Sequence, residues 1–201
     1  MISLAFIICA VAGYLLGSIN ASIILSHLKG TDIRKYGSGN AGATNTLRTF
    51  GKGAAVVVLL IDVLKGVAAV LIARYVFPDA PVCQYICGFG AILGHNFPLY
   101  FGFKGGKGVL TSVAVLTALN WWVGLIALVV ALVIMAITKY VSLGSMLGAI
   151  MAPIIAFFLK DIYFIVFTVC AAGLIVIRHK DNIVRLVNGN ERKLGEKKNE
   201  Q

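Results

Sequence analysis

The sequence has 201 residues, of which 59% are hydrophobic and only 13% are charged, and its formal net charge is +10 at pH 7. A soluble domain of this length needs far more polar surface, so the composition excludes that class and predicts an integral membrane protein. The positive charge does not indicate a nucleic-acid partner, because the basic residues lie between apolar runs, where they can face anionic lipid headgroups.

The first apolar run covers about residues 2–26, and no basic residue precedes it. A cleaved signal peptide carries a basic segment before its apolar part, so this run is predicted to be a retained membrane span. Further spans are predicted in the apolar runs at about 53–77, 82–101, 108–138, 142–159 and 162–177.

The run at 108–138 has room for one tilted helix or for two helices that turn near residues 120–122. Two helices place 15 of the 18 Lys and Arg residues on one side of the membrane, all except Lys65, Arg74 and Lys160. That distribution satisfies the positive-inside rule, whereas a single helix would put the basic tail outside.

The sequence therefore predicts an all-α integral membrane protein with seven transmembrane helices, an outside N-terminus and a cytoplasmic C-terminus. It forms one domain over residues 1–201, with a flexible basic tail after about residue 194. The four cysteines lie in apolar runs, so neither a disulfide framework nor a metal site is predicted.

A polar segment, GSGNAGATNTLR, follows the first apolar run at residues 37–48. Its glycines permit backbone conformations that a Cβ would forbid, its short polar side chains can form hydrogen bonds, and Arg48 presents a planar fork suited to phosphate. The alternative is a solvated turn with helix-capping residues, but the length of the segment favours phosphate binding. The candidate binding residues are Gly37, Gly39, Asn40, Thr44 and Asn45, together with Ser38.

Asp62 and Lys65 are charged residues inside the second apolar run. Their spacing of three places them on one helical face, where pairing lowers the cost of burying either charge. A structural ion pair is favoured over contact with a substrate.

The second polar segment, GHNFPLYFGFKGGKGV, covers residues 94–109. Its consecutive glycines allow backbone N–H groups to converge into an anion-binding nest, and its lysines add positive charge. The spacing is not that of a nucleotide-binding P-loop, and the alternative is a basic turn at the membrane surface. The candidate binding residues are Lys104, Gly105, Gly106, Lys107 and Gly108, whereas His95 is expected to be structural.

The third polar segment, RHKDNIVRLVNGNE, covers residues 178–191. The neighbouring cations favour the neutral form of His179, which can accept a proton. Asn182 is expected on the same helical face, and Glu191 is expected to be a structural ion-pair partner. The alternative for the segment is a basic amphipathic helix lying on anionic lipid.

Together, the patterns GSGNxGATNxxR, GHNFPxxxxFKGGKGV and RHxxNIxRLxxGxE resemble the three motifs of the bacterial acyl-phosphate:glycerol-3-phosphate acyltransferases, the PlsY family. The three motifs occur in the same order as in that family, and the resemblance extends over nearly the whole chain. It implies transfer of a fatty acyl group from acyl phosphate to the sn-1 hydroxyl of glycerol 3-phosphate, giving lysophosphatidic acid and phosphate. It also implies no cofactor, a bacterial cytoplasmic membrane location with the site on the cytoplasmic face, and a soluble partner enzyme that produces acyl phosphate.

The same resemblance implies catalytic roles for Ser38, Arg48, His179 and Asn182, a glycerol-phosphate-binding role for the KGGKG glycines, and a structural role for Glu191. The three polar segments are then expected to meet at the inner leaflet. A transporter for an anionic solute is the main alternative, but the sequence shows no repeated halves with broken helices. A structural membrane protein is a third possibility. His27 and Asp32 have the HxxxxD spacing of another acyltransferase class, but none of that class's other motifs follows, so this match is attributed to chance.

Overall fold

The structure is a computed structural model that describes residues 2–159 and 161–196. Every regular element within these residues is helical, as predicted. The α-helices are α1 (Ile2–Gly17), α2 (Ala21–Leu28), α3 (Ala43–Val76), α4 (Val82–Asn96), α5 (Val109–Leu119), α6 (Trp121–Thr138), α7 (Val141–Leu159), α8 (Ile162–Arg178) and α9 (Lys180–Val187). Short 3-10 turns lie at Ile33–Lys35 and Leu99–Phe101. The predicted flexible tail falls mainly on residues 197–201, which lie outside the described residues.

Length and hydropathy identify four candidate membrane spans among the described residues. These are Ser3–Leu28, Ala43–Val76, Trp121–Thr138 and Val141–Leu159, and α8 with α9, bent by 58°, forms a fifth if the two are counted together. Helices α4 and α5 have 15 and 11 residues, below the lower limit of about 17 for a span. The count of seven spans and the orientation of the termini therefore stay predictions.

Two helix breaks position the polar segments. The break predicted near residues 120–122 is present, because Asn120 is extended between α5 and α6. The first apolar run was predicted to be continuous, but it divides between α1 and α2. The reason is Asn20, whose side chain accepts a hydrogen bond from the N–H of Ile23 at 3.1 Å and so starts a new helix.

Helix α3 begins at Ala43, within the first polar segment and before the apolar run that predicted it. It is kinked at Gly51, whose backbone has φ 83° and ψ −176°, a conformation that only glycine adopts readily. The kink separates the polar first turns of α3 from its apolar remainder.

The described chain divides into two compact units, residues 1–121 and 122–201. In the first unit, α1 packs on α4 through glycines on both helices, since a Cβ at Gly90 would lie 2.9 Å from the carbonyl oxygen of Ala10 and one at Gly94 would lie 2.7 Å from the nitrogen of Ser18. The two backbones are therefore almost in contact, as in membrane helices that associate through small residues.

The second unit contains α6 to α9 apart from Trp121, the first residue of α6. Gly144 and Gly148 of α7 lie against the backbone of α6, where added Cβ atoms would come 2.5 and 2.7 Å from the carbonyl oxygens of Ala131 and Ala127. Helix α7 also packs on α8. The third polar segment begins at Arg178, the last residue of α8.

Candidate active site

Asn45 organises the first polar segment. Its side chain is 1% exposed. Its Oδ1 accepts a hydrogen bond from the N–H of Ser38 at 2.9 Å, and its Nδ2 donates to the carbonyl oxygens of Tyr36 at 2.9 Å and Ile33 at 3.3 Å. Asn45 was predicted to bind substrate, but its buried amide is engaged with the loop itself. Its observed contacts hold Ser38 in place.

The turn around Ser38 depends on glycine at two positions. Gly37 and Gly39 have φ values of 61° and 72°, in the left-handed region that other residues enter only at a cost. A Cβ at Gly37 would also overlap the Oδ1 of Asn45. The result is a tight loop that leaves the Ser38 side chain on the exposed surface.

The start of α3 follows directly after this turn. Gly42 precedes the helix without a side-chain cap, and the Oγ1 of Thr46 donates back to the Gly42 carbonyl at 3.1 Å. Thr44 is half-buried in the first turn and Arg48 is exposed one turn later. The N–H groups of a first helical turn and the positive end of the helix dipole attract an anion, so Ser38 and Arg48 lie beside a surface that suits a phosphate.

The glycines of the second segment pack against the end of α4. The N–H of Gly105 donates to the carbonyl of Asn96 at 3.2 Å, and the N–H of Gly106 donates to that of His95 at 3.1 Å. A Cβ at Gly106 would overlap the ring of His95. The N–H groups of Gly105 and Gly106 therefore bind the protein backbone, and phosphate binding by this loop stays a prediction.

The remaining part of the second segment keeps features suited to an anion. Gly108, at φ 73°, turns the chain into α5, while Lys104 is exposed and Lys107 half-buried. Asn96 packs against Gly108, where an added Cβ would lie 2.7 Å from its Oδ1. Among the described residues the buried Asn96 amide has no hydrogen-bond partner, and neither has the hydroxyl of Ser112 in the first turn of α5. Buried polar groups of this kind are usually satisfied by water or a ligand.

Arg34 joins the two segments. Its Nη1 donates to the carbonyl oxygens of Phe101 at 2.8 Å and Lys104 at 3.2 Å. Its Nε and Nη2 are held by both carboxylate oxygens of Asp32, at 2.8 to 3.1 Å. The hydrogen bond from Arg34 lowers the pKa of Asp32 from 3.8 to about 2. Asp32 thus serves to hold Arg34, while His27 is exposed with its ring edge towards Phe101.

Three titratable residues are buried behind the second segment. Asp62 and Lys65 form the predicted ion pair, with 2.8 Å between Oδ1 and Nζ. His95 completes the cluster, since its Nδ1 lies 2.9 Å from the Nζ of Lys65 and 3.3 Å from the Oδ1 of Asp62. The cluster lies at 1 to 4% exposure, with no group on the surface.

The third segment lies in the second unit and is built around His179. His179 lies between α8, which ends at Arg178, and α9, which begins at Lys180 after a bend of 58°. Its common helical face with Asn182 stays a prediction, and both residues are buried. The backbone N–H of His179 and its ring Nδ1 both contact the carbonyl oxygen of Ile175, at 3.1 and 2.8 Å, which ends the helix. A carbonyl only accepts, so Nδ1 carries the proton and the neutral ring has its lone pair on Nε2.

Glu191 holds the side chain of Asn182, three residues after that histidine. Its Oε1 accepts from the Nδ2 of Asn182 at 2.6 Å and from the hydroxyl of Ser142 at 2.7 Å, while its Oε2 accepts from the Nε of Arg185 at 2.8 Å. Burial acts to raise the pKa of Glu191, but these hydrogen bonds outweigh it and hold the pKa below its ordinary value. Glu191 is thus an ionised acceptor that fixes the orientation of the Asn182 amide.

A family model described as glycerol-3-phosphate acyltransferase matches residues 7–189, which include both glycine-rich segments, His179 and Asn182. The chain belongs to this family. A glycerol-3-phosphate acyltransferase from Shouchella clausii is 50% identical over 192 residues, covering 92% of this chain and 94% of the relative. One from Clostridioides difficile is 45% identical over 199 residues, covering 96% and 98%.

Solved structures of another glycerol-3-phosphate acyltransferase match the whole fold. The crystal structure of PlsY (YgiH), an integral membrane glycerol 3-phosphate acyltransferase in its glycerol 3-phosphate form, is 38% identical with a TM-score of 0.90, covering 94% of this chain and 96% of that chain. The form with lysophosphatidic acid has a TM-score of 0.86 and covers 94% and 95%. The resemblance to the PlsY family is confirmed, and the acyltransferase is a multi-pass membrane protein.

Sequence reasoning missed two residues of this acyltransferase that the structure joins to the predicted ones. Arg34 was counted only as a charge, and no local pattern shows that it bonds to carbonyls 67 and 70 positions later. Ser142 is the second residue of the apolar helix α7, and the sequence gave no sign that it donates a hydrogen bond to Glu191. Both contacts connect segments that are distant in sequence.

Proposed function

We propose that the protein transfers a fatty acyl group from acyl phosphate to the sn-1 hydroxyl of glycerol 3-phosphate, at the cytoplasmic face of a bacterial inner membrane. The products are lysophosphatidic acid and inorganic phosphate. The observation that carries the proposal is that Arg34 joins two cationic glycine-rich loops within the first unit. Its Nη1 donates to the carbonyl oxygens of Phe101 and Lys104, at 2.8 and 3.2 Å. Two adjacent cationic loops suit a reaction in which both substrates carry a phosphate.

The chemistry requires positioning and charge stabilisation above all. Acyl phosphate is a mixed anhydride, so its phosphate is already a good leaving group and no cofactor is needed to activate it. The hydroxyl oxygen of glycerol 3-phosphate attacks the acyl carbon, the new ester bond forms, and the bond from the acyl carbon to the phosphate oxygen breaks. Holding the two substrates in the reacting geometry supplies much of the rate enhancement.

In the first unit, Ser38, Arg48 and one loop lysine bind the donor phosphate and the negative charge that develops on it. Gly37, Gly39, Asn40 and Thr44 shape that loop. The exposed position of Ser38 and Arg48 next to the first turn of α3 supports this assignment.

Lys104 and the chain from Gly105 to Gly108 bind glycerol 3-phosphate in this proposal. The unpartnered amide of the buried Asn96, which packs against Gly108, supports a polar ligand or an ordered water at this loop. Asn45 acts indirectly, by holding Ser38.

In the second unit, His179 and Asn182 keep the catalytic roles that the family resemblance implies. Nε2 of His179 is the proposed acceptor of the proton that the attacking hydroxyl releases, since the bond from Nδ1 to Ile175 provides the required tautomer. Glu191 keeps a structural role through its bonds to Asn182 and Arg185.

The deciding experiment uses the purified protein in detergent with glycerol 3-phosphate and each of three donors: acyl phosphate, acyl-CoA and acyl carrier protein. We expect lysophosphatidic acid and phosphate, in equal amounts, with acyl phosphate alone, and an acyl group at the sn-1 position by NMR. Ser38→Ala and His179→Ala should each lower kcat by about 100-fold or more, as loss of such groups does in other acyl transfers. Activity with acyl-CoA in place of acyl phosphate would contradict the proposed donor.

Direct transfer is proposed over an acyl-enzyme on Ser38. Mass spectrometry of a reaction with acyl phosphate, quenched before glycerol 3-phosphate is added, should find Ser38 unmodified. An acyl adduct on Ser38 that is transferred when glycerol 3-phosphate is added would establish the two-step route instead. A soluble enzyme that makes acyl phosphate is the expected supplier of the donor.

A further inference from the structure

The cluster of Asp62, Lys65 and His95 has no role in the proposed transfer, although three titratable groups are buried together. Their exposures are 1%, 4% and 3%. A buried ion pair is weak evidence for stability, because apolar residues of similar volume often serve as well or better. Ionisable residues within membrane helices are therefore functional by default.

Lys65 determines the tautomer of His95. Its ammonium group has three N–H donors and lies 2.8 Å from the Oδ1 of Asp62, 2.9 Å from the carbonyl oxygen of Ile19 and 2.9 Å from the Nδ1 of His95. An ammonium group cannot accept a hydrogen bond, so the ring nitrogen facing it must present a lone pair. The Oδ1 of Asp62 lies farther from Nδ1, at 3.3 Å, and has no hydrogen-bond partner among the described residues, so a proton on Nδ1 would face the Lys65 donor at 2.9 Å in a buried site. The neutral ring therefore carries its proton on Nε2.

The Nε2 side of the ring faces the second glycine-rich segment. A Cβ at Gly106 would overlap the Nε2 and would lie 2.6 Å from the carbonyl oxygen of Ala41, in the first segment. The backbone of His95 also accepts the N–H of Gly106 at 3.1 Å. His95 thus contacts the loop with both its ring and its carbonyl, at the place where the two segments adjoin.

We propose that Asp62 and Lys65 lock His95 as the Nε2–H tautomer, and that His95 is a positioning residue for the loop Lys104–Gly108. The ring, held in this form, presents a donor to the junction of the two glycine-rich segments and sets the loop for glycerol 3-phosphate. The inference rests on the assignment of this loop to glycerol 3-phosphate made above. If so, the binding site includes this buried cluster as well as the surface loops.

Two substitutions of His95 separate this role from simple space filling. The amide nitrogen of Gln can take the place of Nε2, whereas the shorter Asn reaches only the position of Nδ1. We expect His95→Gln to keep the KM for glycerol 3-phosphate within about threefold and His95→Asn to raise it about tenfold or more, since a lost buried hydrogen bond costs about 1–3 kcal/mol. The KM for acyl phosphate should change little in either variant. His27→Ala, at an exposed position, is the control and should match the wild type.

Equal effects of the Gln and Asn variants on both substrates would overturn the proposal, because they would indicate general packing damage. The same holds if His95→Asn keeps the wild-type KM for glycerol 3-phosphate. Where a His95 variant fails to fold, the double variant Asp62→Asn/Lys65→Met gives a second route that leaves no unpaired charge. We expect it to fold and to raise the KM for glycerol 3-phosphate about tenfold, because the lock is lost. An unchanged KM in that variant would also overturn the proposal.

Failure of the role proposed for His95 can be distinguished from failure of the proposed acyltransferase function. Direct calorimetric binding of glycerol 3-phosphate to the same variants needs no acyl donor. If the wild type binds glycerol 3-phosphate but rejects acyl phosphate, the proposed donor fails while the His95 comparison still stands. If His95→Asn binds glycerol 3-phosphate like the wild type, the positioning role fails whichever donor is used.

Discussion

At the scale of single residues, the candidate site depends on side chains that hold loops together. Arg34 is the clearest case, because one guanidinium group binds the carboxylate of Asp32 on one edge and two carbonyls of the second segment on the other. The planar fork of arginine can serve these partners at once, and an ammonium group cannot reproduce that geometry.

Replacing Arg34 should therefore weaken glycerol 3-phosphate binding and leave the acyl donor nearly unaffected. We expect Arg34→Ala to raise the KM for glycerol 3-phosphate about tenfold, equivalent to about 1.4 kcal/mol, and Arg34→Lys not to restore it. Steady-state kinetics with each substrate varied in turn measures the effect. Lys35→Ala removes a neighbouring exposed cation and should match the wild type. A rise in both KM values, or rescue by lysine, would contradict a fork-dependent role.

The depressed pKa of Asp32 sets the pH range over which its ion pair with Arg34 contributes stability. Because the pKa falls from 3.8 in the unfolded chain to about 2 in the folded protein, the stabilisation is complete above about pH 4 and is lost as the pH falls towards 2. The difference in unfolding free energy between Arg34→Ala and the wild type should accordingly be the same at about pH 6 and pH 8.

At the scale of helices, the kink in α3 connects the loop of Ser38 to the membrane-embedded part of the first unit. Gly51, at φ 83° and ψ −176°, allows the first turns of α3 to leave the axis of its apolar remainder. Any other residue at this position is strained, because only glycine populates that region readily.

Gly51→Ala should lower stability by about 1–3 kcal/mol and reduce activity, because relief of the strain would straighten α3 and shift Arg48, which lies before the kink. The matched control is Gly53→Ala, where the added Cβ meets nothing within 4 Å and φ is ordinary. That variant should be neutral or more stable by up to about 1 kcal/mol. Thermal unfolding in detergent compares the two. Equal unfolding temperatures would show that the kink is not strained.

The helices illustrate what could be predicted from the sequence. Periodic and apolar runs predicted the helical class, the break near Asn120 and the pairing of Asp62 with Lys65, since these depend on residues close together in the chain. The break at Asn20 and the early start of α3 were missed, because polar caps inside an apolar or loop-like stretch compete with the hydropathy signal. The contacts of Asn45 could not be predicted for a related reason. Its polarity suggested a ligand, but burial decided its partners.

At the scale of the whole molecule, the positions of the basic residues predict the direction in which the chain crosses the membrane. The basic residues of the first and third segments predict a cytoplasmic location, and the segment between α3 and α4 is then outside. Asp79 lies in that segment and is exposed, as are Lys35 in the first basic segment and Lys193 in the tail.

Single cysteines at these positions test the orientation. Cys9, Cys83 and Cys87 are buried, so replacing the exposed Cys170 by Ala gives a suitable background. In intact cells we expect a membrane-impermeant maleimide to label Asp79→Cys only, and to label Lys35→Cys and Lys193→Cys only after the membrane is permeabilised. Labelling of Lys35→Cys in intact cells would reverse the orientation and remove the cytoplasmic location proposed for the site.

The close packing of α1 on α4 has a consequence for the lipid substrate. At Gly90 and Gly94 an added Cβ would come within 3 Å of the opposite backbone, while a hydrocarbon tail needs about 4 Å between carbon centres. No methylene chain can therefore enter the seam between these two helices. The fatty tail of a donor or product must follow some other groove, and mutagenesis aimed at chain-length preference should begin away from that seam.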